Sequence, residues 1–322
     1  KGLFDRAILE SEPFGIPFRS ASTWKPFVGA FAKYANCTSD IDNCLMSLEP
    51  ENVISAQVAA EKDILAEYKR LLDLFVPWTP TTGTTELPLS PWQTWVSGQS
   101  HDIPIMIGTV TNEGWEFVYS AFGKSLSGLE YSALLDVLFG LSHHHDVISQ
   151  YPSTSGDNRP VASQLATDSL FVCATRNATL SGPVTHSSPT YLYHFDHIMS
   201  FGDKVWGPMY SFCDDKVCHA EELVFVFGNQ NATDGVVFTD DEKALSDSMQ
   251  FYWSNFAATG NPNTPPPSSP LVHSASSQVD WPQLDATNEH TLRFHTPANL
   301  PDPAPYRETC KLWDSFGYHF AQ

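Results

Sequence analysis

Lysine and arginine are scarce in this 322-residue chain: 17 against 37 aspartates and glutamates, for a formal charge of -20. That balance disfavours nucleic acid and anionic lipid as partners and reads as a well-solvated acidic surface. No run approaches the ~18 to 20 apolar residues of a membrane span, so no transmembrane segment is expected. No signal peptide is expected within these residues. The chain opens on Lys1-Gly2-Leu3-Phe4-Asp5-Arg6 without a methionine, which suggests a processed chain or the later part of a longer one. Internal repeats and clean linkers are absent, and Gly123-Lys124-Ser125 lacks the upstream glycine of a phosphate-binding loop.

What is present is core-forming material, 42% apolar and 13% aromatic. That content fits one large body better than a string of modules. Helical and strand-like segments alternate in an α/β manner. Residues 57–75 carry Val58, Ile64, Leu65, Tyr68, Leu71 and Leu72 at helical spacing before Pro77. Residues 103–108, Ile-Pro-Ile-Met-Ile-Gly, read as a buried parallel strand, and residues 190–196 as another. Residues 131–139 and 162–176 read as helices. Thr239-Asp240-Asp241-Glu242 is a capping box that opens a long helix ended by Gly260, and residues 264–270 form a proline-rich surface excursion.

Asn36-Cys37-Thr38, Asn177-Ala178-Thr179 and Asn231-Ala232-Thr233 are glycosylation sequons, and the six cysteines allow three disulfides. Together they argue for a secreted glycoprotein, in the extracellular space or the lumen of the secretory pathway. Spacing suggests Cys37 with Cys44 and Cys213 with Cys218, leaving Cys173 for Cys310. Other pairings remain open on spacing alone.

Two segments carry chemistry: Thr109-Val110-Thr111-Asn112-Glu113-Gly114 and Val217-Cys218-His219-Ala220-Glu221-Glu222-Leu223. A hydrolytic triad needs a nucleophile, an imidazole to take its proton, and a carboxylate to orient the imidazole. Glu113 and His219 read as the acid and the base of such a triad. Glu113 falls just beyond the carboxyl end of a buried strand, where open α/β sheets place reactive groups. His219 lies between a short disulfide loop and a predicted helix, a rigid platform for a general base. The other histidines read as structural. His143-His144-His145-Asp146 is expected to be a solvated loop, because adjacent side chains diverge and no metal set is spaced around them. His194 and His197, beside Asp196, read as strand-end residues.

The chain resembles the carboxyl-terminal part, about three fifths, of type-B carboxylesterases, the cholinesterase-like branch of the α/β-hydrolase fold. The residues that carry this are Lys1-Gly2-Leu3-Phe4-Asp5-Arg6-Ala7-Ile8, Gly108 to Gly114, and Cys218-His219-Ala220-Glu221-Glu222-Leu223 with Phe225-Val226-Phe227-Gly228. Asp168 with Phe171-Val172-Cys173, Tyr191-Leu192-Tyr193, Trp253-Ser254-Asn255-Phe256, Thr259-Gly260-Asn261-Pro262-Asn263 and Cys310-Lys311-Leu312-Trp313 complete the series. Their order and spacing cover almost the whole chain.

The resemblance implies that residues 1–322 are the carboxyl-terminal part of a single domain, with a mixed, mostly parallel sheet flanked by helices. It implies a serine carboxylic-ester hydrolase acting on small-molecule or lipid esters, with Glu113 and His219 in the triad and Phe18 in a wall of the acyl pocket. No metal or organic cofactor is implied. No G-x-S-x-G occurs in these residues, so the serine and the oxyanion hole are expected on an upstream segment or a companion chain. The alternative is a non-catalytic cholinesterase-like protein of structure, storage or adhesion, since one fold hosts unrelated functions.

Overall fold

The computed structural model describes residues 2–67, 78–230, 235–266, 278–285 and 287–318. Among them are strands β1 (Ala7–Glu10), β2 (Arg19–Ser20), β3 (Thr81–Thr82), β4 (Ile105–Val110), β5 (Thr190–Phe195), β6 (His290–Phe294) and β7 (Leu300–Pro303). The main sheet runs β1-β4-β5-β6-β7; its first four strands are parallel and β7 returns antiparallel to β6. β2 and β3 pair with each other, apart from this sheet.

β4 and β5 are buried at every position, as strands of a parallel sheet covered on both faces must be. The period of two along each strand sorts their side chains between two cores. Ile105, Ile107 and Leu192 join Tyr131, Leu135 and Trp313 on one face. Met106, Val110, Tyr191, Tyr193 and Phe195 join Phe225, Met249 and Trp281 on the other. The first core is closed by helices Gly128–Gln150, Arg159–Ala166, Cys173–Thr185 and Arg307–Phe316, the second by helix Asp240–Thr259. Gly108 is in register with Tyr193, and a Cβ there would stand 2.3 Å from the tyrosine ring. Glycine is what lets that ring lie across its neighbouring strand.

The capping box forms: Thr239 Oγ1 accepts from Glu242 N–H at 3.2 Å, and the helix ends at Gly260 with φ 80°. Other boundaries differ from the sequence expectation for physical reasons. The strand expected at 103–108 begins at Ile105, because Pro104 has no N–H to give the ladder. The helix expected at 57–75 starts earlier, at Pro50, and is described to Glu67; residues 68–75 lie outside the described residues. The helix expected over 131–139 runs from Gly128 to Gln150 through a kink at Gly140 with φ 68°. His143-His144-His145-Asp146 is therefore helical, and the expected loop is corrected: Gly140 turns the chain and the helix resumes beyond it. The helix expected over 162–176 is built from helix Arg159–Ala166, a π-helical turn over Thr167–Val172, and helix Cys173–Thr185. Of the proline-rich excursion, residues 267–270 lie outside the described residues.

Three disulfides are formed: Cys37–Cys44, Cys213–Cys218 and Cys173–Cys310, with Cα separations of 5.6, 5.8 and 5.2 Å. No described helix is long and apolar enough to cross a membrane.

Candidate active site

After Val110 ends β4, two residues lead to Glu113, which opens helix Gly114–Ala121. Its carboxylate is fully buried. Oε1 accepts from the Val110 N–H at 2.8 Å, and Oε2 lies 2.6 Å from Nδ1 of His219. Behind it, Gly114 N–H donates to Thr167 Oγ1 at 2.9 Å, tying the Glu113 loop to the π-helical turn. Gly114 packs so closely there that a Cβ would stand 2.2 Å from the Ser163 carbonyl oxygen. Gly114→Ala is accordingly expected to cost about 1–3 kcal/mol, from overpacking, measured as a lower urea midpoint at unchanged m.

His219 directly follows the Cys213–Cys218 loop, and Ala220 after it takes a left-handed φ of 70°. That turn carries Glu221 back under the loop, where Oε2 accepts from the Cys218 N–H at 2.9 Å and Oε1 from the Met199 N–H at 3.0 Å. The imidazole stands between Phe117 and Phe171, with ring centroids at 5.2 and 5.5 Å. Its side chain is 29% exposed, so the ring is gripped on its sides and open at one edge. The carboxylate on Nδ1 fixes the tautomer with the proton there and the lone pair on Nε2, the arrangement of a general base.

Charge around the ring is one-sided. Burial pushes the His219 pKa down, but the hydrogen bond it donates to Glu113 and the charges of Glu113, Glu222 and Glu116 outweigh it, and the net direction is up. Burial raises Glu222 to about 8, helped by the nearby Glu113 and Glu10. Glu10 and Glu116 are raised by burial as well; Trp253 Nε1–H donates to Glu10 and holds it partly back.

A cavity of about 280 Å³ opens against His219. Pro13, Ile16, Phe117, Leu135, Leu165 and Phe171 are among its walls, and its few polar edges include Glu10, Ser11 and Ser169. Phe18, the residue expected in a pocket wall, is half-buried and does not line this cavity. Gly15 N–H bonds the Leu170 carbonyl at 2.9 Å, pinning Pro13 and Ile16 at the wall, and the chain then leaves for β2. Neither Phe117 nor Phe171 stood out as a site residue in the sequence. Phe117 lies four residues after Glu113, one helical turn on, which is the signal that could have found it.

The remaining candidates separate from this site. His194 is buried, bonded to Tyr306 and Thr111, and its pKa is pushed down by burial. His197 bonds Glu242 and Thr296. His144 pairs with Asp136 at 2.6 Å, and the described residues contain no group of three or more His, Cys, Asp or Glu placed to hold a metal. Of the sequons, Asn36 is exposed, whereas Asn177 sits within a helix with its Nδ2 donating to Asp314 at 3.1 Å. Asn231 lies outside the described residues.

The chain is similar to several known proteins. The chain is 31% identical over 313 residues to the "cAMP-regulated D2 protein" of Dictyostelium discoideum, covering 97% of this chain and 55% of that protein. It is 29% identical over 324 residues to the "Para-nitrobenzyl esterase" of Bacillus subtilis (strain 168), covering 98% and 58%. A solved "PNB esterase" structure superposes with a TM-score of 0.65 at 26% identity, covering 97% of this chain and 58% of that one. The fold is that of the α/β-hydrolase esterases, and the chain spans little more than half the length of the curated relatives it matches. A family model described as "Carboxylesterase family" matches residues 1–313, and the chain belongs to that family.

Proposed function

We propose that this chain supplies the acid and base of a secreted serine carboxylic-ester hydrolase, with Glu113 orienting His219. The observation that carries the reading is the 2.6 Å contact between the buried Glu113 carboxylate and Nδ1 of His219, residues 106 apart in sequence. The nucleophilic serine and the oxyanion hole belong to an upstream segment or companion chain that completes the same single domain. Among the described residues β1 pairs on one side, with β4, so a further strand has an edge to join. Attack by that serine on the ester carbonyl passes its proton to Nε2 of His219, which returns it to the leaving alcohol as the acyl-enzyme forms. Water activated by the same imidazole then releases the acid. Three disulfides and an exposed sequon at Asn36 support the secretory assignment.

The substrate reading follows from the cavity and the charges. A largely apolar cavity beside the base favours a neutral ester with an apolar group, from a small molecule or a lipid. The Glu113 and Glu116 charges that act on His219 disfavour an anionic one.

Fluorophosphonate labelling of the complete protein, followed by mass analysis of each polypeptide, tests the assignment. An adduct on a serine beyond this chain supports the hydrolase; no adduct on folded material favours a non-catalytic scaffold. The pH profile gives a second check. A general base must be neutral, and the raised pKa of His219 puts the rise of kcat/KM with pH above 6.5, the ordinary value for imidazole. In Glu113→Gln the charge is gone and burial remains, so the rise should move to lower pH. Stability from the pair runs the other way: it is fully present below pH 6.5 and is lost as pH climbs through the raised value.

A further inference from the structure

Asn112 meets the histidine loop twice. Its N–H donates to the Val217 carbonyl at 2.9 Å, and its side-chain Oδ1 accepts from the Val217 N–H at 3.0 Å. Residues 112 and 218 lie side by side as an isolated parallel bridge. One step beyond each member of that bridge stands a residue of the pair, Glu113 after Asn112 and His219 after Cys218. Other anchors hold each loop to its own surroundings: the Cys213–Cys218 disulfide and Glu221 on the histidine side, Thr167 on the acid side. Among the described residues, the hydrogen bonds between the two loops other than Glu113–His219 itself are those of Asn112. Val217 is buried, 2% exposed, so removing Oδ1 takes the acceptor from a largely buried N–H.

We propose that Asn112 is a positioning residue, whose side chain locks the acid's loop to the histidine's loop and so sets the Glu113–His219 geometry. The proposal rests on reading that pair as the acid and base of a hydrolase. A carboxylate 2.6 Å from an imidazole in a buried setting loses much of its hold with a small displacement, because both the hydrogen bond and the charge attraction are short-ranged there. Asn112 does not line the cavity, and its effect would be felt through His219.

The test compares Asn112→Ala, which removes the acceptor, with Asn112→Asp, which keeps one. Asn112→Ala retains the backbone bond from residue 112 to Val217, and so retains one of the two links. His219 is titrated by NMR in each protein, and the pH dependence of fluorophosphonate labelling is followed in the complete protein. The groups facing the ring, Glu113, Glu116, Glu222 and Glu10 across the cavity, are unchanged in both variants, while Asn112→Asp adds a carboxylate beside Glu113 whose charge can only push the titration up, so the labelling rate and not the titration is its supporting readout. In Asn112→Ala the His219 proton affinity should fall about tenfold or more, and labelling should slow about 100-fold, the scale of a misplaced catalytic group. Asn112→Asp should keep the raised titration and label within about threefold of the parent, well short of the loss a displaced group causes. If Asn112→Ala loses thermal stability while His219 titration and labelling stay as in the parent, Asn112 is a structural staple and the proposal is wrong. Should Asn112→Ala not fold, Asn112→Asp decides alone, since a lowered titration with the acceptor present overturns it. A parent that takes no label while its His219 still titrates high defeats the hydrolase reading and leaves the clamp standing.

Discussion

His219→Ala should remove nearly all ester turnover from the complete protein, a loss on the order of 10⁶-fold in kcat by the scale of serine-protease triads. Among the described residues, neither His194 nor His197 is placed to take over the proton. His194 is buried and engaged with Thr111 and Tyr306, and His197 with Glu242 and Thr296. Folding should survive, because the lost side chain is part-exposed and Glu113 keeps its bond from the Val110 N–H. The stability cost is expected at about 1–3 kcal/mol, for a buried carboxylate stripped of one partner. Glu113→Gln separates orientation from presence: the amide fills the same space but offers an N–H towards Nδ1, which favours the wrong tautomer. A loss of about 10⁴-fold follows if the carboxylate acts as the orienting acid. Steady-state hydrolysis of a neutral chromogenic ester, with circular dichroism as the folding control, reads both variants. Turnover by His219→Ala at the parent's rate would falsify the assignment.

Glu113 and His219 stood out in the sequence because each lies in a short segment that resembles a family segment, and the local surroundings of each agree with that resemblance. Glu113 follows a wholly buried strand, and His219 adjoins a disulfide between cysteines five apart. Local chemistry of that kind survives in one dimension. The cavity does not, since Ile16, Phe117, Leu135 and Phe171 converge from segments that no periodicity links. Phe18 shows the same limit. Its neighbours Pro13 and Ile16 reach the wall, but a backbone bond from Gly15 to Leu170 decides which residues do, and that bond is long-range. The π-helical turn over Thr167–Val172 leaves no compositional trace, yet it supplies both the Thr167 support for the acid loop and the Phe171 ring against His219. The helix expected over residues 131–139 shows the same limit: it kinks at Gly140 and continues through the three histidines, a course that the apolar pattern does not reveal.

Cys173→Ala should be the most destabilising of the single disulfide losses. The bridge joins residues 137 apart, and the loop-closure account gives about 5 kcal/mol for a loop of that length, against about 2.5 kcal/mol for the short Cys37–Cys44 loop. Both Cys173 and Cys310 are fully buried, at the start of helix Cys173–Thr185 and within helix Arg307–Phe316. The second helix closes the core over Phe139 and Leu135, so freeing it uncovers apolar surface as well as releasing the chain. Other links limit the damage. Trp313 Nε1–H donates to Tyr151 Oη at 3.0 Å, and Arg176 pairs with Asp314 at 2.8 Å and with Glu289 at 2.7 Å. These are largely buried or part-buried contacts, but they confine only the folded state, whereas the disulfide also confines the unfolded chain. Urea unfolding of Cys173→Ala and Cys44→Ala under non-reducing conditions makes the comparison, with the midpoint of the first expected well below that of the second. Coincident midpoints would mean that the Trp313 and Arg176 contacts, and not the bridge, keep the carboxyl-terminal helix on the core.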